Sequence, residues 1–412
     1  MSGTYLSATA GLSALNFFLA DVHDGLGPFL ATWLAEAHWD PARIGLVMTI
    51  GGIAGLLCNG PAGALVDWSG RPRLVLTGAS IAVVAGTVGL LFAHDFKAVL
   101  AAQVVIAIGG AIMGPGLVAL TLALVGKDRF PARQGRNEAW NHGGNVSAAL
   151  MVVAATFVTG AVAAFWVLGT MAVGALAALW LMPGGSAAVR RQAGEPASTA
   201  EPEGRTGPEN SLRSVLTDRR LIALGIALAA FHLGNAAMLP LLGQRMAAIG
   251  QGDPTRWMAA CVIVAQATMV PVALLAGRMA DRVNRAWLLV AACAVLPIRG
   301  VLAALAVHPA WLIPVQILDG CGAGTLGVAV PLLVADFTWG TGRTQTALGS
   351  VATAQGIGAS LSATLGGVLA HAFGWTAAFL GLAVPAALAL GLAVRLVGQA
   401  PRLKAASISA HV

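Results

Sequence analysis

The feature that most constrains this chain is a series of apolar runs, each about 20 residues long, that recurs from one end of the sequence to the other. A bilayer core of about 30 Å needs roughly 20 apolar residues at a helical rise of 1.5 Å each. Only 10% of the 412 residues are charged and 57% are hydrophobic, whereas a water-soluble protein carries about 25% charged residues. The sequence therefore predicts an all-α integral membrane protein, and it excludes disorder and an ordinary soluble fold.

Charged or Pro/Gly-rich breaks divide the apolar sequence into twelve predicted transmembrane helices. They cover residues 12–33, 44–66, 74–92, 99–125, 137–158, 162–182, 221–242, 258–280, 287–307, 311–334, 346–370 and 376–397. The polar segment between the sixth and seventh helices cannot build a core of its own. We therefore predict an N-terminal six-helix bundle at 1–182, a linker at 183–220, a C-terminal six-helix bundle at 221–398 and a tail at 399–412.

The positive charges indicate an orientation. If the N-terminus is cytoplasmic, 19 of the 24 Lys and Arg residues fall in inside loops and the C-terminal tail, four fall outside, and Arg299 lies within a helix. Both termini and the linker are therefore predicted to be cytoplasmic in a multi-pass membrane protein. The net charge of +7 follows this topology and does not indicate a nucleic-acid partner.

The two halves share short patterns at an offset near 213 residues. The fourth and tenth predicted helices share the spacing that begins at Gln103 and Gln316, and the first and seventh share Leu-Ala-x-x-His, ending at His23 and His232. The loop after the second helix and its degenerate copy after the eighth contain Gly63, Asp67, Gly70, Arg71 and Arg73, and Gly277, Asp281 and Arg282. A repeat of six plus six helices indicates two bundles facing one another across a central site.

With these residues the chain resembles the major facilitator superfamily of secondary transporters, in which this loop reads roughly Gly-x-x-x-Asp-(Arg/Lys)-x-Gly-(Arg/Lys)-(Arg/Lys). The resemblance implies alternating access, in which the two loops hold one face closed and release it as the bundles rock. Trp68 and Pro72 depart from the pattern. Gln103 stands where many proton-coupled exporters of the family have an arginine. Within the family the chain resembles bacterial permeases, which implies a place in the bacterial inner (plasma) membrane.

Three ionisable residues of the first predicted helix are candidates for proton coupling, because a charged group at membrane depth is costly. Asp21 and Asp24 share a helix face near the bilayer midplane, and His23 lies between them. Two carboxylates this close do not both ionise readily, so one is expected to gain and lose a proton, with Asp21 favoured. The alternative is a structural pair that bonds to neighbouring helices.

A second set of polar residues is predicted to line a substrate cavity. It comprises His232, Asn235, Asn141, Asn145, Gln103 and Gln316. Asn141 and Asn145 continue a stripe that starts at Asn137 and is flanked by Glu138 and His142. Amides in membranes also act as contacts between helices, which is the alternative for each of them.

Arg299 and Asp319 each lie eight residues from the outer end of their predicted helices, about 12 Å deep. Consecutive antiparallel helices are usually neighbours, so we predict an ion pair with a structural or gating role. The alternative is an arginine that reaches outward to the interface by itself.

These patterns predict a secondary active transporter that binds a small molecule and protons within the lipid bilayer. Proton-coupled export of a small amphiphilic compound, by antiport, is favoured; uptake or facilitated diffusion of a polar nutrient is the alternative. The sequence contains no phosphate-binding loop, His-Glu-x-x-His or Gly-x-Ser-x-Gly motif. Accordingly, we predict no enzymatic activity. We also predict a monomer with no cofactor and no metal.

Overall fold

The computed structural model describes residues 7–398, except for 24, 94, 127–129, 183–216, 251, 281 and 339–343. The regular elements of this described part are helices, joined by short turns that include 3-10 segments at Gly160–Val162 and Pro309–Trp311. The α-helices are α1 (Ala8–His23), α2 (Pro28–Glu36), α3 (Pro41–Ser69), α4 (Pro72–Phe92), α5 (Phe96–Val125), α6 (Phe130–Thr159), α7 (Ala163–Leu181), α8 (Arg219–Asn235), α9 (Met238–Ile249), α10 (Pro254–Met279), α11 (Arg285–Leu305), α12 (Leu312–Phe337) and α13 (Thr344–Val397).

Ten helical segments of the described residues are long and apolar enough to cross a membrane. The protein is therefore a multi-pass membrane protein, as the apolar runs predict. The predicted number of twelve spans and the cytoplasmic position of the termini stay predictions.

The first predicted span differs from its prediction, because it is two short helices rather than one long helix. The break between α1 and α2 contains Gly25 and Gly27, whose φ angles of 59° and 48° favour glycine. Pro28 then starts α2, where its missing N–H costs no helical hydrogen bond. At the other end of the chain, α13 covers both of the last two predicted spans. Gly374 leaves helical geometry inside it (φ 82°, ψ 172°) and separates them.

Several helices begin where a short polar side chain accepts a hydrogen bond from the exposed first turn. The carboxylate of Asp40 accepts from the Arg43 N–H at 2.9 Å, and that of Asp95 accepts from the Lys97 N–H at 2.8 Å. Asn284 caps α11 in the same way. These residues explain why the helices begin where they do.

The first of two compact units comprises Met1–Thr199 and Leu239–Ile263. Within it α1 packs against α6 and α7, and α5 packs against α3 and α4. The contact between α1 and α6 is close because Gly144 has no side chain: a Cβ there would lie 2.0 Å from the carbonyl oxygen of Phe17. Small residues at such contacts are typical of membrane helices.

The second unit comprises Ala200–Met238 and Val264–Val412. Within it α8 and α11 both pack against α13, and α12 packs against α11. Gly358 of α13 allows another close contact, since a Cβ there would lie 2.1 Å from the carbonyl oxygen of Ala229 in α8. The two-bundle boundaries predicted from the sequence stay a prediction, and 183–216 of the predicted linker lies outside the described residues.

Large apolar side chains cover the outside of both units. Leu57, Phe92 and Val158 of the first unit and Phe373 of the second are each more than 70% exposed. Apolar side chains exposed in this number would be unfavourable in water. In hydrocarbon they are in the medium they prefer, while the helices satisfy their own backbone groups.

Candidate functional site

A buried polar cluster lies in the second unit, where α8, α11 and α12 meet. The Arg299 guanidinium of α11 lies 3.0 Å from the Asp319 carboxylate of α12, which is the ion pair predicted from depth. Asn235 of α8 bridges both partners: its Oδ1 accepts from Arg299, and its Nδ2 donates to Asp319 Oδ1 at 3.3 Å. Three helices are therefore joined through one amide and one ion pair.

The cluster is almost fully removed from solvent. The Arg299 side chain is 1% exposed and the Asp319 side chain 18% exposed. A buried ion pair of this kind is maintained only where hydrogen bonds satisfy the charged groups, and Asn235 supplies one to each partner. The cluster carries no net charge, yet it offers a carboxylate and an amide to a ligand.

Gln316 lies one helical turn from Asp319 on α12. It is 0% exposed, and neither its amide oxygen nor its amide nitrogen has a hydrogen-bond partner among the described residues. Leaving such a group buried costs about 1–3 kcal/mol for each unmade bond. Gln316 is therefore a buried amide whose donor and acceptor are both unsatisfied among the described residues.

His232 lies on α8, one turn before Asn235 and within electrostatic range of Asp319. Its ring contacts Phe231 edge-on at 5.4 Å, and its buried Nε2 has no hydrogen-bond partner in the described part of the chain. A crevice too narrow to admit a water molecule borders this cluster, and its lining includes Phe231, Asn235, Arg299 and Asp319. The second unit thus brings together four of the predicted residues, His232, Asn235, Arg299 and Asp319, with Gln316 one turn away.

The predicted coupling residues lie in the first unit, at the end of α1. Asp21 is half-buried and interacts with a neighbouring group, while His23 is exposed and ends the helix. Gly110 of α5 packs beneath this end, because a Cβ there would lie 2.5 Å from the His23 carbonyl oxygen. Asp24 lies outside the described residues.

The asparagine stripe of α6 divides into two parts. Asn141 and Asn145 are half-buried, with a weak contact of 3.5 Å between their side chains, and so remain available to a ligand. Asn137 is 1% exposed and donates to Thr121 Oγ1 of α5 at 3.1 Å.

Arg133 completes a network around Asn137 that the sequence analysis missed. Its Nε donates to Asn137 at 2.8 Å, and its NH2 donates to Ser13 of α1 at 2.9 Å. Burial, and then the nearby charge of Arg136, lower the pKa of Arg133. The network joins α1, α5 and α6, so the side chain of Asn137 is engaged in contacts between helices.

Gln103 is half-buried on α5 and lies over the bare backbone of Gly51 in α3, where a Cβ would be 2.7 Å from Gln103 Cγ. Its sequence counterpart in the second half is Gln316. The two glutamines occupy different environments: one packs at a helix crossing, and the other is fully buried without partners.

The signature loop is the turn between α3 and α4. Gly63 lies on α3, and Gly70 ends that helix with a φ of 56°. Arg71 is exposed at the start of α4, and Arg73 donates to the carbonyl oxygen of Met182 at 3.1 Å. Arg73 therefore contacts the C-terminal end of α7, where a helix has unsatisfied carbonyls. Asp67 belongs to α3.

The second copy of the loop follows α10. Gly277 and Arg282 are exposed, and Asp281 lies outside the described residues. The adjacent Arg285 makes an ion pair with Asp336 at 2.6 Å, which joins the start of α11 to the end of α12. Asp336 was not identified from the sequence, because nothing local marks it as a partner.

Among the described residues, no group of three or more His, Cys, Asp or Glu side chains could hold a metal ion. The polar groups at hand are suited to hydrogen bonding, ion pairing and proton binding.

Comparison with known proteins gives three concordant findings. A family model described as Major Facilitator Superfamily matches residues 6–338 and 255–411. An uncharacterized MFS-type transporter of Mycobacterium tuberculosis, matched in strains CDC 1551 / Oshkosh and H37Rv, is 40% identical over 388 residues, covering 93% of this chain and 92% of the relative. The crystal structure of the nucleoside transporter NupG is similar with a TM-score of 0.74 at 14% identity, covering 95% of this chain and 98% of that chain. A mutant of NupG gives a TM-score of 0.72 at 13% identity, covering 94% and 99%.

Proposed function

Because the chain belongs to the Major Facilitator Superfamily, and its relatives are transporters rather than enzymes, we propose that it takes up a small polar solute by proton-coupled alternating access. The proposed setting is the bacterial inner membrane. Of the two transport functions compatible with the sequence, this is the one that the polar groups of the second unit support best.

The observation that carries the proposal is the state of Gln316. It is fully buried, one turn from an ion pair, and both of its amide atoms lack partners among the described residues. A solute with adjacent donor and acceptor groups would satisfy both atoms at once. An amphiphile held by apolar contact would leave them unsatisfied, at a cost in binding free energy.

Asp21 is the proposed coupling residue. It is an ionisable side chain on a membrane helix, and that helix ends two residues later at a glycine-rich break. Non-helical backbone at membrane depth is tolerated only where it is buried in protein or lines a water-filled cavity, and a water-filled cavity is what proton transfer to Asp21 requires. Protonation of Asp21 would then change the charge of the first unit as the solute binds.

Nucleosides are suitable first probes, because NupG is described as a nucleoside transporter and shares the fold. A nucleobase edge presents adjacent donors and acceptors, which are the partners that the amide of Gln316 lacks. Sugars and amino acids extend the panel, and amphiphilic drugs test the competing function of export.

The test uses purified full-length protein in proteoliposomes. Thermal-shift screening of the panel identifies a solute that raises the melting temperature. Uptake of that solute is then measured with and without an inward proton gradient. We expect accumulation only with the gradient. Proton-driven movement of amphiphilic compounds, with no response to any polar solute, would contradict the proposal.

We propose a gating role for the signature loop in the same cycle. Asp67→Asn should slow uptake several-fold without lowering the yield of folded protein, since it removes a charge that holds one face closed. Asp67→Glu keeps the charge and serves as the matched control. Unchanged uptake in Asp67→Asn would remove this residue from the mechanism.

A further inference from the structure

An apolar groove runs between α8 and the first turns of α13 in the second unit. Its volume is about 260 Å³, and its lining comprises Leu221, Ile222, Gly225, Ile226, Ala347, Ser350, Val351 and Ala354. Ile222 is 45% exposed and Ile226 is 53% exposed, so the groove opens outward along the lipid-facing side of α8. Gly225 and Ala354 keep it open, because both are small and face one another.

An exposed cation precedes the groove residues of α8. Arg219 is the first residue of α8, and it shares a helix face with Ile222 and Ile226 at spacings of three and seven residues. Arg219 is exposed and makes no ion pair with any residue that the structure describes. Its neighbour Arg220 is already neutralised by Asp218 at 2.8 Å, so Arg219 carries the free positive charge.

The depths of these groups match one lipid molecule. The groove residues of α8 begin two residues after Arg219 and end seven residues after it, about 3–10 Å along the helix axis. A phosphate bound to the guanidinium would stand at the membrane surface, and the acyl chain attached to it would enter the groove directly below. We infer that this groove is a binding site for an anionic phospholipid, with the phosphate on Arg219 and one acyl chain along Ile222 and Ile226.

The charge and the apolar lining select this occupant together. A soluble anion would use Arg219 but would gain nothing from the isoleucines. A zwitterionic lipid would fill the groove but would bring its own cation close to Arg219. An exposed arginine near an anionic membrane surface contributes about a five-fold preference for the anionic lipid. The site is separate from Gln316 and Asp21, so it stands whether or not the proposed solute is correct.

The experiment measures lipid binding to the purified full-length protein by native mass spectrometry. Phosphatidylglycerol, phosphatidylcholine and inorganic phosphate at equal ionic strength are the three probes. We expect phosphatidylglycerol adducts to exceed phosphatidylcholine adducts about five-fold, and inorganic phosphate not to compete. Arg219→Gln should abolish that preference, and Arg219→Lys should restore most of it. Arg395→Gln, which removes an exposed arginine of α13 that does not line the groove, should leave the preference unchanged.

Gly225→Leu tests the acyl chain separately by filling the groove. It should lower the binding of both lipids, and circular dichroism with gel filtration verifies that the variant folds. If it misfolds, Ile226→Ser, which makes the exposed lining polar, provides the same test. Equal binding of the two lipids by the wild type, or equal loss in Arg219→Gln and Arg395→Gln, would overturn the inference. Competition by inorganic phosphate would reassign the site to a free anion.

Discussion

The end of α1 and the corresponding stretch of α8 share the same short sequence pattern but lie in different environments. In the first unit the helix ends at His23, which is exposed, and the backbone then leaves helical geometry at Gly25, whose φ is positive. In the second unit the helix continues beyond His232 to Asn235, and a histidine nitrogen is buried near a carboxylate. A repeated pattern therefore predicts where a polar helix segment lies but not what surrounds it.

The electrostatics of the two regions differ in the same way. Asp319 is compensated by Arg299 inside its own unit, at 3.0 Å. The predicted first span, 12–33, contains acidic residues and no lysine or arginine. A compensated carboxylate is suited to holding helices and orienting a polar ligand, whereas one in an acidic segment is suited to changing its protonation state. We assign binding to the second region and coupling to the first, and each prediction below tests that division.

The largest expected effect follows from breaking the ion pair on one side only. Arg299→Leu leaves Asp319 as a buried charge that has lost its strongest partner, so the variant should lose about 3–5 kcal/mol of stability. The double variant Arg299→Leu/Asp319→Leu should be markedly less destabilised than Arg299→Leu alone. Melting temperatures of the two single variants and the double variant give the coupling free energy. Strictly additive effects would mean that the two charges act independently.

The second test compares substitutions of the two corresponding glutamines, Gln316 and Gln103. Gln316→Leu removes the donor and acceptor assigned to the solute, so KM should rise about 10- to 100-fold, as expected for one or two lost hydrogen bonds. Gln103→Leu changes a side chain that packs over Gly51 and should alter KM less than about three-fold. Uptake at a range of solute concentrations measures both. A larger effect at Gln103 would move the binding site to the first unit.

The coupling assignment is tested by Asp21→Asn. We expect accumulation driven by a proton gradient to fall at least about tenfold, because the amide cannot gain or lose the proton. Exchange of labelled for unlabelled solute, which needs no net proton movement, should persist. Asp24→Asn is the companion variant and should have the smaller effect. If Asp319→Asn uncouples transport and Asp21→Asn does not, the division between the two regions is reversed.

Features with a local physical cause could be predicted from the sequence. The long apolar segments follow from bilayer thickness, and the membrane class follows from them. The contact between Arg299 and Asp319 followed from counting residues along two antiparallel helices, which needs no knowledge of distant packing. The break after His23 was missed although Gly25, Gly27 and Pro28 signal it, because the apolar run around them dominated the prediction.

Features that depend on distant packing could not be predicted. Arg133 meets Ser13 across 120 residues of sequence, and Arg285 meets Asp336 across 51. No local spacing relates these partners, so only the fold brings them together. The burial of Gln316 is of the same kind, since its pattern is shared with the half-buried Gln103.

A third carboxylate, Glu36 at the end of α2, lies outside both compared regions and provides the smallest test. Burial, and then the charge of Asp253, raise the pKa of Glu36 above its usual value. One of its oxygens is buried without a hydrogen-bond partner among the described residues, while Asp253 is 3.3 Å from Arg256. The acid form of Glu36 therefore fits this environment better than the carboxylate does.

The folded protein then holds this proton more tightly than the unfolded chain. The free energy of unfolding therefore rises as the pH falls from the raised pKa of Glu36 towards its ordinary pKa, and this gain is lost as the pH rises through the raised pKa. Glu36→Gln, which imitates the protonated form, should raise the melting temperature at pH 7.5 by roughly one or two degrees and flatten its pH dependence. Glu138→Gln, at an exposed carboxylate of α6, is the matched control and should retain the slope of the wild type. An unchanged slope in Glu36→Gln would show that Glu36 does not carry the pH response of stability.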